Sequence, residues 1–415
     1  MNRVVITGMG AITPSGLDVP SMWDAVVHGR SAVTTLEGPE FDGLAVRIGG
    51  RVRGFETDLP AALARRLTPV QHWAIAAADQ ALAQARAQAE ALPWASERVA
   101  VIAATGSGPV DAMQQATRAL DGRGPRAVPL SLSMHGAPDA AAALISQRYR
   151  IFGPAQGVSA TCASGAVGLG EGLRRIRHGY ADAVVVVGME DCLNAVNLSS
   201  NANMRALASG YDDDPTRASR PFDAARSGFV MSQGAAAIVL ESERAARDRG
   251  APVLAELAGF GASSDAYHPT APDPQGAGGA RAIRAALADA GIGPDAVDHV
   301  NAHGTGTLAG DAAELNAFDA ALGATGRGIP ISATKSSTGH LLGASGVVEA
   351  IIAVQTTRTG ILPPTINLDE PAFPEWDVVT EPRALRVDTV LSTSFGFGGH
   401  NGAVLIRTGE LHDRS

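Results

Sequence analysis

The sequence contains a single lysine. Lysine and arginine together number 33 among 415 residues, and every one of them except Lys335 is an arginine. A chain that uses arginine almost everywhere keeps a lysine only where a compact ammonium group is required, because a planar guanidinium cannot replace it. We therefore expect Lys335 to have a specific role; the alternative is a chance residue on the surface.

Cysteine is also scarce, and long apolar runs are absent. Two cysteines, Cys162 and Cys192, cannot form a disulfide framework in a chain of this length and are typical of a reducing compartment. No apolar run reaches the about 18 residues of a membrane span. The formal net charge of −9 argues against nucleic-acid binding. We expect a cytoplasmic protein that binds neither a membrane nor nucleic acid.

The chain does contain many apolar segments separated by helical patterns. The predicted strands begin near Arg3, Arg98, Gly157, Ala183, Gly234, Pro252, Val297, Ile329, Thr389 and Asn401. A long helical pattern covers residues 67–92, and the strand "GVSATC" covers 157–162. Several strands are apolar throughout, which is typical of sheets covered on both faces. Strands separated by helices predict an α/β fold.

One short motif occurs twice. "SATCASG" begins at Ser159 and "SATKSSTGH" begins at Ser332, and each follows an apolar strand and opens a helix of small residues. "GAAAIVLES" and "NGAVLIRTG" later close the two series in similar ways. We predict an internal duplication into two α/β halves, residues 1–245 and 246–415, in which the two motifs are equivalent turns. The alternative is a chance resemblance of four residues in an Ala-rich chain.

Cys162 is the candidate nucleophile. It lies where a predicted strand ends and a helix of small residues begins. The positive end of a helix dipole and the free backbone N–H groups there can lower a thiol pKa from about 8.5 towards 7 or below. The alternative is a buried structural thiol that packs as a small apolar group, and we assign that role to Cys192.

Two histidines complete a candidate site. His303 in "NAHGTGT" and His340 in "KSSTGHLLG" each follow an apolar strand. Neutral imidazoles beside a thiol suit a reaction that develops negative charge on an enolate oxygen. His299 and His303 have the spacing H-x-x-x-H, but on a strand and without the acidic residue of the helical zinc motif, so we expect no metal. "ATGSG" from Ala104 is interpreted as a tight turn.

Lys335 and nearby acids are expected to orient the two imidazole rings. The candidate acids are Asp311, Glu314 and Glu349.

These residues lie in motifs that together resemble the elongating β-ketoacyl-acyl-carrier-protein synthases, the ketosynthases of the thiolase superfamily. The resemblance covers nearly the whole chain and includes "VVITGMGAITPSG", "SATCASGA", "ASRPFDAARSGFVM", "VNAHGTGTLAGDAAE", "SATKSSTGHLLGASG", "ILPPTINLDEP" and "STSFGFGGHNGA". It implies a thiolase-like α/β fold, with internally duplicated halves in α-β-α-β-α layers.

The resemblance implies a decarboxylative condensation. Cys162 would take an acyl chain from a carrier thioester, and a malonyl-carrier would then lose carbon dioxide and attack that acyl group. His303 and His340 would stabilise the enolate, and Lys335 would order the site.

It also implies roles for residues around the thiol. The backbone N–H groups of Cys162 and Phe397 would form the oxyanion hole, and the ring of Phe397 would act as a gate. Thr305 and Thr307 would bind the pantetheine arm.

The implied partners are an acyl carrier protein and a second subunit, which is either an identical chain or a chain length factor. The substrates travel on the carrier's phosphopantetheine, so no further cofactor is expected. Carrier proteins are acidic, which predicts a local basic patch from Arg65, Arg66 and Arg205, with Arg126 as a further candidate. Exposed arginines that are merely solvated are the alternative.

Three residues, at two sites, depart from the family pattern. Ser232-Gln233 stands where many members have Gly followed by an acid, and His400 replaces a frequent Thr.

A non-catalytic subunit resembling a chain length factor is the main alternative function, but chain length factors generally lack the active cysteine. Thiolases use a second cysteine near the C-terminus, which this chain lacks after Cys192. A priming synthase would have Asn in place of His340.

Overall fold

The computed structural model describes residues 2–86 and 91–409. The strands are β1 Val4–Ile12, β2 Val33–Thr35, β3 Ile48–Gly50, β4 Val99–Ala104, β5 Ala155–Val158, β6 Ala183–Glu190, β7 Gly234–Ser242, β8 Ala255–Ser264, β9 His299–Asn301, β10 Ile331–Ser332, β11 Ile361–Leu362, β12 Arg383–Ala384, β13 Thr389–Gly396 and β14 His400–Thr408. The helices are α1 Val19–Val27, α2 Ala61–Ala64, α3 Pro69–Gln84, α4 Val110–Arg123, α5 Leu132–His135, α6 Ala140–Tyr149, α7 Ser164–Arg177, α8 Ala195–Asn203, α9 Glu243–Asp248, α10 Ala277–Ala290, α11 Leu308–Leu322, α12 Lys335–Thr338 and α13 Ser345–Thr359. Within these described ranges, no helix is long and apolar enough to cross a membrane.

The large sheet has a repeated strand order. Its ten strands follow the order β10-β9-β13-β14-β8-β1-β7-β6-β4-β5. From the centre outward, the strands of the first half follow the order β1-β7-β6-β4-β5, and those of the second half follow the order β8-β14-β13-β9-β10. In each half these are the first, fifth, fourth, second and third of its sheet strands along the chain. The halves meet where β1 pairs with β8, through Val5 with Glu256 and Ile6 with Ala255. This repetition confirms the predicted internal duplication, while its division at residues 245 and 246 stays a prediction.

The elements are arranged in five layers. Helices α3 and α6 cover the outer face of the first half, and α10 and α11 cover that of the second. Between the halves lie α7 and α13, which contact strands of both. The central core includes Leu169, Val186, Val347, Ile351 and Val404. The predicted α-β-α-β-α arrangement is therefore confirmed.

The two central helices approach each other through glycines at their N-termini. A Cβ atom on Gly165 would lie 2.8 Å from the backbone nitrogen of Val347, and one on Gly346 would lie 2.5 Å from that of Ala166. Only glycine fits such a contact between backbones. The contact brings the start of α7, and Cys162 just before it, against the chain that follows His340.

Two predicted elements are shorter in the structure. The strand predicted over 157–162 ends at Val158, because Thr161 adopts a left-handed conformation with φ 48° that an extended strand cannot contain. The helix predicted over 67–92 is α3, which begins at Pro69 and ends at Gln84, with Arg86 at φ 57° shortly after it. Positions 87–90 of that prediction lie outside the described residues.

Candidate active site

The predicted thiol and both predicted imidazoles line one cavity. This cavity has a volume of about 350 Å³, and Cys162, His303 and His340 form part of its wall. Other predicted residues that line it are Thr305, Thr307, Glu314, Phe397 and Arg205. Lys335, Asp311 and Glu349 are buried and do not belong to its lining.

Cys162 sits on a tight turn between β5 and α7. Thr161 before it has a left-handed backbone, an uncommon state for a β-branched residue that its surroundings must hold in place. The Thr161 hydroxyl donates to the carbonyl of Phe397 at 2.9 Å. Ser164 Oγ accepts the N–H of Ala160 at 2.8 Å and contacts the Thr161 carbonyl at 2.6 Å. These bonds fix the direction of the thiol.

The thiol is neutral in the free protein. Burial raises the pKa of Cys162 to about 12, while the positive charge of Lys335 acts in the opposite direction. The negative charge of Glu190 raises this pKa further. The prediction of a thiol pKa near 7 or below is therefore wrong, because removing the sulfur from water outweighs the charges and N–H groups that favour the thiolate.

Backbone N–H groups reach the sulfur from two sides. Hydrogen bonds from the backbone of Phe397 and of Cys162 itself lower the pKa of the thiol. The chain at Gly396 passes so close that a Cβ atom there would lie 2.2 Å from Thr161 Oγ1 and 3.0 Å from the nitrogen of Cys162. This close passage places the Phe397 N–H beside the sulfur. The ring of Phe397 packs edge-on against Phe229, with centroids 6.4 Å apart.

The two imidazole rings lie edge to face in the cavity that Cys162 also lines. The centroids of His303 and His340 are 5.3 Å apart, at an interplanar angle of 86°. Ser345 Oγ lies 3.0 Å from His340 Nδ1, and the ring of Phe229 packs at 5.4 Å from that of His340. Burial lowers the pKa of both histidines well below 6.5, and the charge of Lys335 lowers it further. Both rings are therefore neutral at physiological pH.

The acids and Lys335 hold the backbone around His303, not its ring. Glu314 accepts the N–H of His303 at 2.7 Å and that of Gly304 at 2.8 Å. Lys335 Nζ donates to the His303 carbonyl at 2.7 Å and pairs with Glu349. We expected these side chains to contact the imidazole rings, but among the described residues no hydrogen bond joins them to either ring. Glu314 and Lys335 position His303 through its peptide groups instead.

Asp311 supports the turn that carries the two threonines. It accepts the N–H of Gly306 at 3.0 Å and that of Phe222 at 2.8 Å. Burial raises the pKa of Asp311 to about 7. The hydroxyls of Thr305 and Thr307 lie 3.1 Å apart at the cavity wall, and Thr307 caps α11 by accepting the N–H of Gly310 at 3.2 Å.

The predicted basic patch is only partly at the cavity. Arg205 is exposed and lines it, with a left-handed backbone at φ 55°. Arg65 and Arg66 are exposed at the end of α2, and Arg126 is exposed after α4, but none of the three belongs to the cavity lining.

The H-x-x-x-H pair is divided between two environments. His303 lines the cavity, whereas His299 is fully buried and its Nε2 lies 2.9 Å from Ser332 Oγ. Over residues 2–86 and 91–409, no group of three or more His, Cys, Asp or Glu side chains is placed to hold a metal ion.

The two departures from the family pattern occupy different places. Ser232 donates its N–H to the His340 carbonyl at 2.9 Å and its hydroxyl to the Gly50 carbonyl at 3.2 Å. Gln233 beside it is buried. His400 is exposed at the start of β14. Ser232 thus lies directly behind a histidine of the cavity.

Three residues around the cavity were not predicted. Ser345 and Phe229 hold the His340 ring, and Glu190 binds the "ATGSG" turn, whose Gly106 and Ser107 N–H groups it accepts at 2.7 and 3.2 Å. The turn itself was predicted. The sequence feature that could have indicated Glu190 is its position as the acidic last residue of the otherwise apolar strand "AVVVVGME".

Comparison with known proteins identifies the family. Residues 1–246 match the Beta-ketoacyl synthase, N-terminal domain, and residues 254–369 match the C-terminal domain of the same family. The chain belongs to the β-ketoacyl synthase family. It is 39% identical over 405 residues to 3-oxoacyl-[acyl-carrier-protein] synthase 2 of Synechocystis, covering 96% of each chain. The protein of the same name from Vibrio cholerae is 37% identical, over 98% of this chain and 99% of the relative.

Solved β-ketoacyl synthases share the fold over the whole chain. A β-ketoacyl synthase from Burkholderia phymatum superposes with a TM-score of 0.90 at 33% identity, covering 99% of this chain and 100% of that one. A ketosynthase solved in complex with a type II PKS acyl-carrier protein, and bound to the hexaketide, gives a TM-score of 0.90 at 29% identity over 99% and 100% of the two chains. The ishigamide ketosynthase/chain length factor superposes with a TM-score of 0.88 at 30% identity, covering 98% of this chain and 99% of that one.

Proposed function

We propose that this protein is a β-ketoacyl-acyl-carrier-protein synthase that condenses a Cys162-bound acyl chain with malonyl-carrier in fatty-acid or type II polyketide elongation. The observation that carries the proposal is the single cavity that Cys162 lines together with the neutral imidazoles of His303 and His340. Relatives named 3-oxoacyl-[acyl-carrier-protein] synthase 2, at 36–39% identity over nearly the full length, support it.

The first step is acyl transfer to the thiol. The sulfur of Cys162 attacks the carbonyl carbon of the acyl-carrier thioester, and the bond from that carbon to the pantetheine sulfur breaks. The thiol proton ends on the released pantetheine sulfur. Because Cys162 is a neutral thiol before attack, this proton leaves the sulfur as the sulfur bonds to the carbonyl carbon.

The second step forms the carbon–carbon bond. Malonyl-carrier loses carbon dioxide, and the electron pair of the broken bond becomes an enolate. N–H groups of His303 and His340 donate to the enolate oxygen, which requires the neutral state that burial gives both rings. The α-carbon attacks the acyl carbonyl, the Cys162 sulfur leaves, and it takes up one proton to restore the thiol.

The remaining cavity residues support these steps. The N–H groups of Phe397 and Cys162 stabilise the oxyanion of both tetrahedral intermediates, since both already reach the sulfur. Thr305 and Thr307 bind the pantetheine arm at the cavity wall, and the Phe397 ring gates the thiol. Lys335, Glu314 and Glu349 keep the His303 backbone in place.

The partners follow from the substrate. The acyl groups arrive on the phosphopantetheine of an acyl carrier protein, which supplies the only prosthetic group that the reaction uses. The carrier docks near Arg205, with Arg65 and Arg66 as further contacts, and a second subunit completes a dimer. That subunit is an identical chain or a chain length factor. Both cysteines are free, in keeping with reaction in the reducing cytoplasm.

The test is product formation from defined substrates. The protein is incubated with carrier protein loaded with acyl chains of graded length and then with malonyl-carrier, and intact masses are recorded. We expect β-ketoacyl-carrier lengthened by two carbons. No product, either from the protein alone or with a co-expressed partner subunit, would reject the function. Product only with the partner would make the enzyme partner-dependent.

Variants of the histidines separate the two steps. His303→Ala and His340→Ala should still acquire the acyl group but form β-ketoacyl product more slowly, by about 10²–10⁴-fold, because the enolate loses a donor. Condensation at the natural rate in either variant would exclude that histidine from the second step.

A further inference from the structure

Glu190 is a buried carboxylate with an unusually complete set of donors. It is the last residue of β6 and is 1% exposed. It accepts the backbone N–H groups of Gly106 at 2.7 Å, Ser107 at 3.2 Å and Gly343 at 3.0 Å, and the hydroxyls of Ser107 at 2.6 Å and Thr105 at 3.2 Å. Every partner is a donor, which matches an acceptor-only carboxylate.

One set of these donors belongs to the loop beside the nucleophile. The carbonyl of Thr105 accepts the hydroxyl of Ser164 at 3.1 Å, and Ser164 fixes the Cys162 turn. A Cβ atom on Gly106 would lie 3.1 Å from the carbonyl oxygen of Thr161. The strained Thr161 therefore rests on a loop that Glu190 holds.

The other donor belongs to the second half of the chain. Gly343 lies in the turn Leu342–Ala344, between His340 and Ser345, whose hydroxyl contacts the His340 ring. Leu342 in this turn has φ 44°, a left-handed state that persists only when neighbours hold it. A Cβ atom on Gly343 would lie 2.1 Å from the nitrogen of Gly106, so the loop and the turn are in direct contact.

We propose that Glu190 is a positioning residue, which clamps the loop Thr105–Ser107 beside Cys162 to the turn Leu342–Ala344 behind His340. One carboxylate thus fixes the nucleophile of the first half against a histidine of the second. The expected loss of kcat rests on the proposed condensation, whereas the placement of the loop against the turn does not. The negative charge of Glu190 also raises the pKa of Cys162, so the clamp and the thiol are electrostatically linked.

The experiment compares Glu190→Gln and Glu190→Ala with Glu241→Gln. Glu241 is also a fully buried carboxylate, and it binds Trp94 at 2.6 Å and Arg249 at 2.7 Å outside the cavity. Three quantities are measured for each variant: kcat and KM for condensation, the rate of Cys162 alkylation by iodoacetamide against pH, and the melting temperature.

We expect kcat of Glu190→Ala to fall by about 10²-fold and that of Glu190→Gln by about tenfold, because misplacement of reacting groups by about 1 Å has effects of this size. KM for both carrier substrates should stay within about twofold. Loss of the charge should raise the alkylation rate of Glu190→Gln about fivefold at a given pH. Glu241→Gln should lower the melting temperature and leave kcat and alkylation unchanged.

Two results would overturn the clamp. One is a kcat for Glu190→Gln within about twofold of the natural protein, with unaltered alkylation. The other is an equal fall in kcat for Glu241→Gln, which would make the effect one of general destabilisation. If Glu190→Ala does not fold, Glu190→Gln decides. If the natural protein forms no β-ketoacyl product, the proposed function fails, and the alkylation comparison still decides the role of Glu190.

Discussion

In the first half the turn after β5 presents Cys162 and continues into the 14-residue helix α7, whereas in the second half the turn after β10 leads into the four-residue helix α12, which begins at Lys335. Both turns follow the outermost strand of their half of the sheet. Both stretches contain the sequence Ser-Ala-Thr, yet Thr161 has φ 48° and Thr334 has φ −72°. The two turns therefore direct their fourth residues differently.

The fourth residues have different surroundings. Cys162 lines the cavity, while Lys335 is 1% exposed and bonds to the His303 carbonyl and to Glu349. The short helix α12 closes at Gly339, whose φ of 67° turns the chain so that His340 reaches the cavity. One turn carries the reactive atom, and its equivalent provides the support and the imidazole.

The sharpest way to break this comparison is to remove the thiol. Cys162→Ala should abolish condensation, with little change in melting temperature, because the small side chain faces a cavity. Cys192→Ala is the matched control. Its sulfur donates to the Ser232 carbonyl at 3.0 Å in a buried cluster, so the rate should change little. Retention of full activity by Cys162→Ala would reject the mechanism.

Removing the lysine should affect stability as well as rate. Lys335→Met leaves Glu349 buried without its partner, which costs about 3–5 kcal/mol in the free energy of unfolding. The double variant Lys335→Met/Glu349→Gln removes both charges and should regain most of that stability, as measured by urea unfolding. It should remain slow in condensation, because the His303 carbonyl still lacks its donor. Full recovery of rate in the double variant would assign Lys335 to stability alone.

The pH dependence of the thiol tests its surroundings. Because burial raises the pKa of Cys162 to about 12, the thiolate fraction, and with it the iodoacetamide alkylation rate, should rise about tenfold per pH unit from pH 7 to about 10. A plateau near pH 8 would show that the turn stabilises the thiolate, as the helix N-terminus alone had predicted. The alkylation of urea-unfolded protein, followed over the same range, provides the reference.

The smallest predicted effect concerns the carrier. Arg65→Glu combined with Arg66→Glu should raise KM for carrier substrates by a few-fold and leave kcat unchanged, because a local basic surface attracts an acidic carrier. The effect should shrink in high salt. Arg150→Glu combined with Arg358→Glu, two exposed arginines outside the proposed patch, is the control of equal charge change. An equal KM for both variants would discard Arg65 and Arg66 as docking residues.

The fold was readable from the sequence where local and global signals agreed. The apolar strands from Arg98 and Ala183 needed cover on both faces, and the repeated Ser-Ala-Thr motif indicated the duplication. The residues at which helices and strands end were harder to predict from the sequence. The left-handed residues Thr161 and Arg86 end their predicted elements earlier, and nothing in their side chains requires φ above zero.

The site was only partly readable. A thiol, two histidines and a solitary lysine could be selected by residue type and position. The thiol pKa was mispredicted, because burial of Cys162 depends on the packing of both halves, which a local helix signal does not contain. Glu190 was missed for a similar reason, since its partners come from residues 105–107 and from residue 343, far apart in sequence.

The measurement that tests the central claim most directly is the location of the acyl group. The protein is incubated with acyl-carrier alone, digested, and its peptides are sequenced by mass spectrometry. We predict one acyl group, on the peptide that contains Cys162, which disappears when malonyl-carrier is added. An acyl group on Cys192, or one that persists while β-ketoacyl product accumulates, would contradict the assignment of Cys162 as the nucleophile.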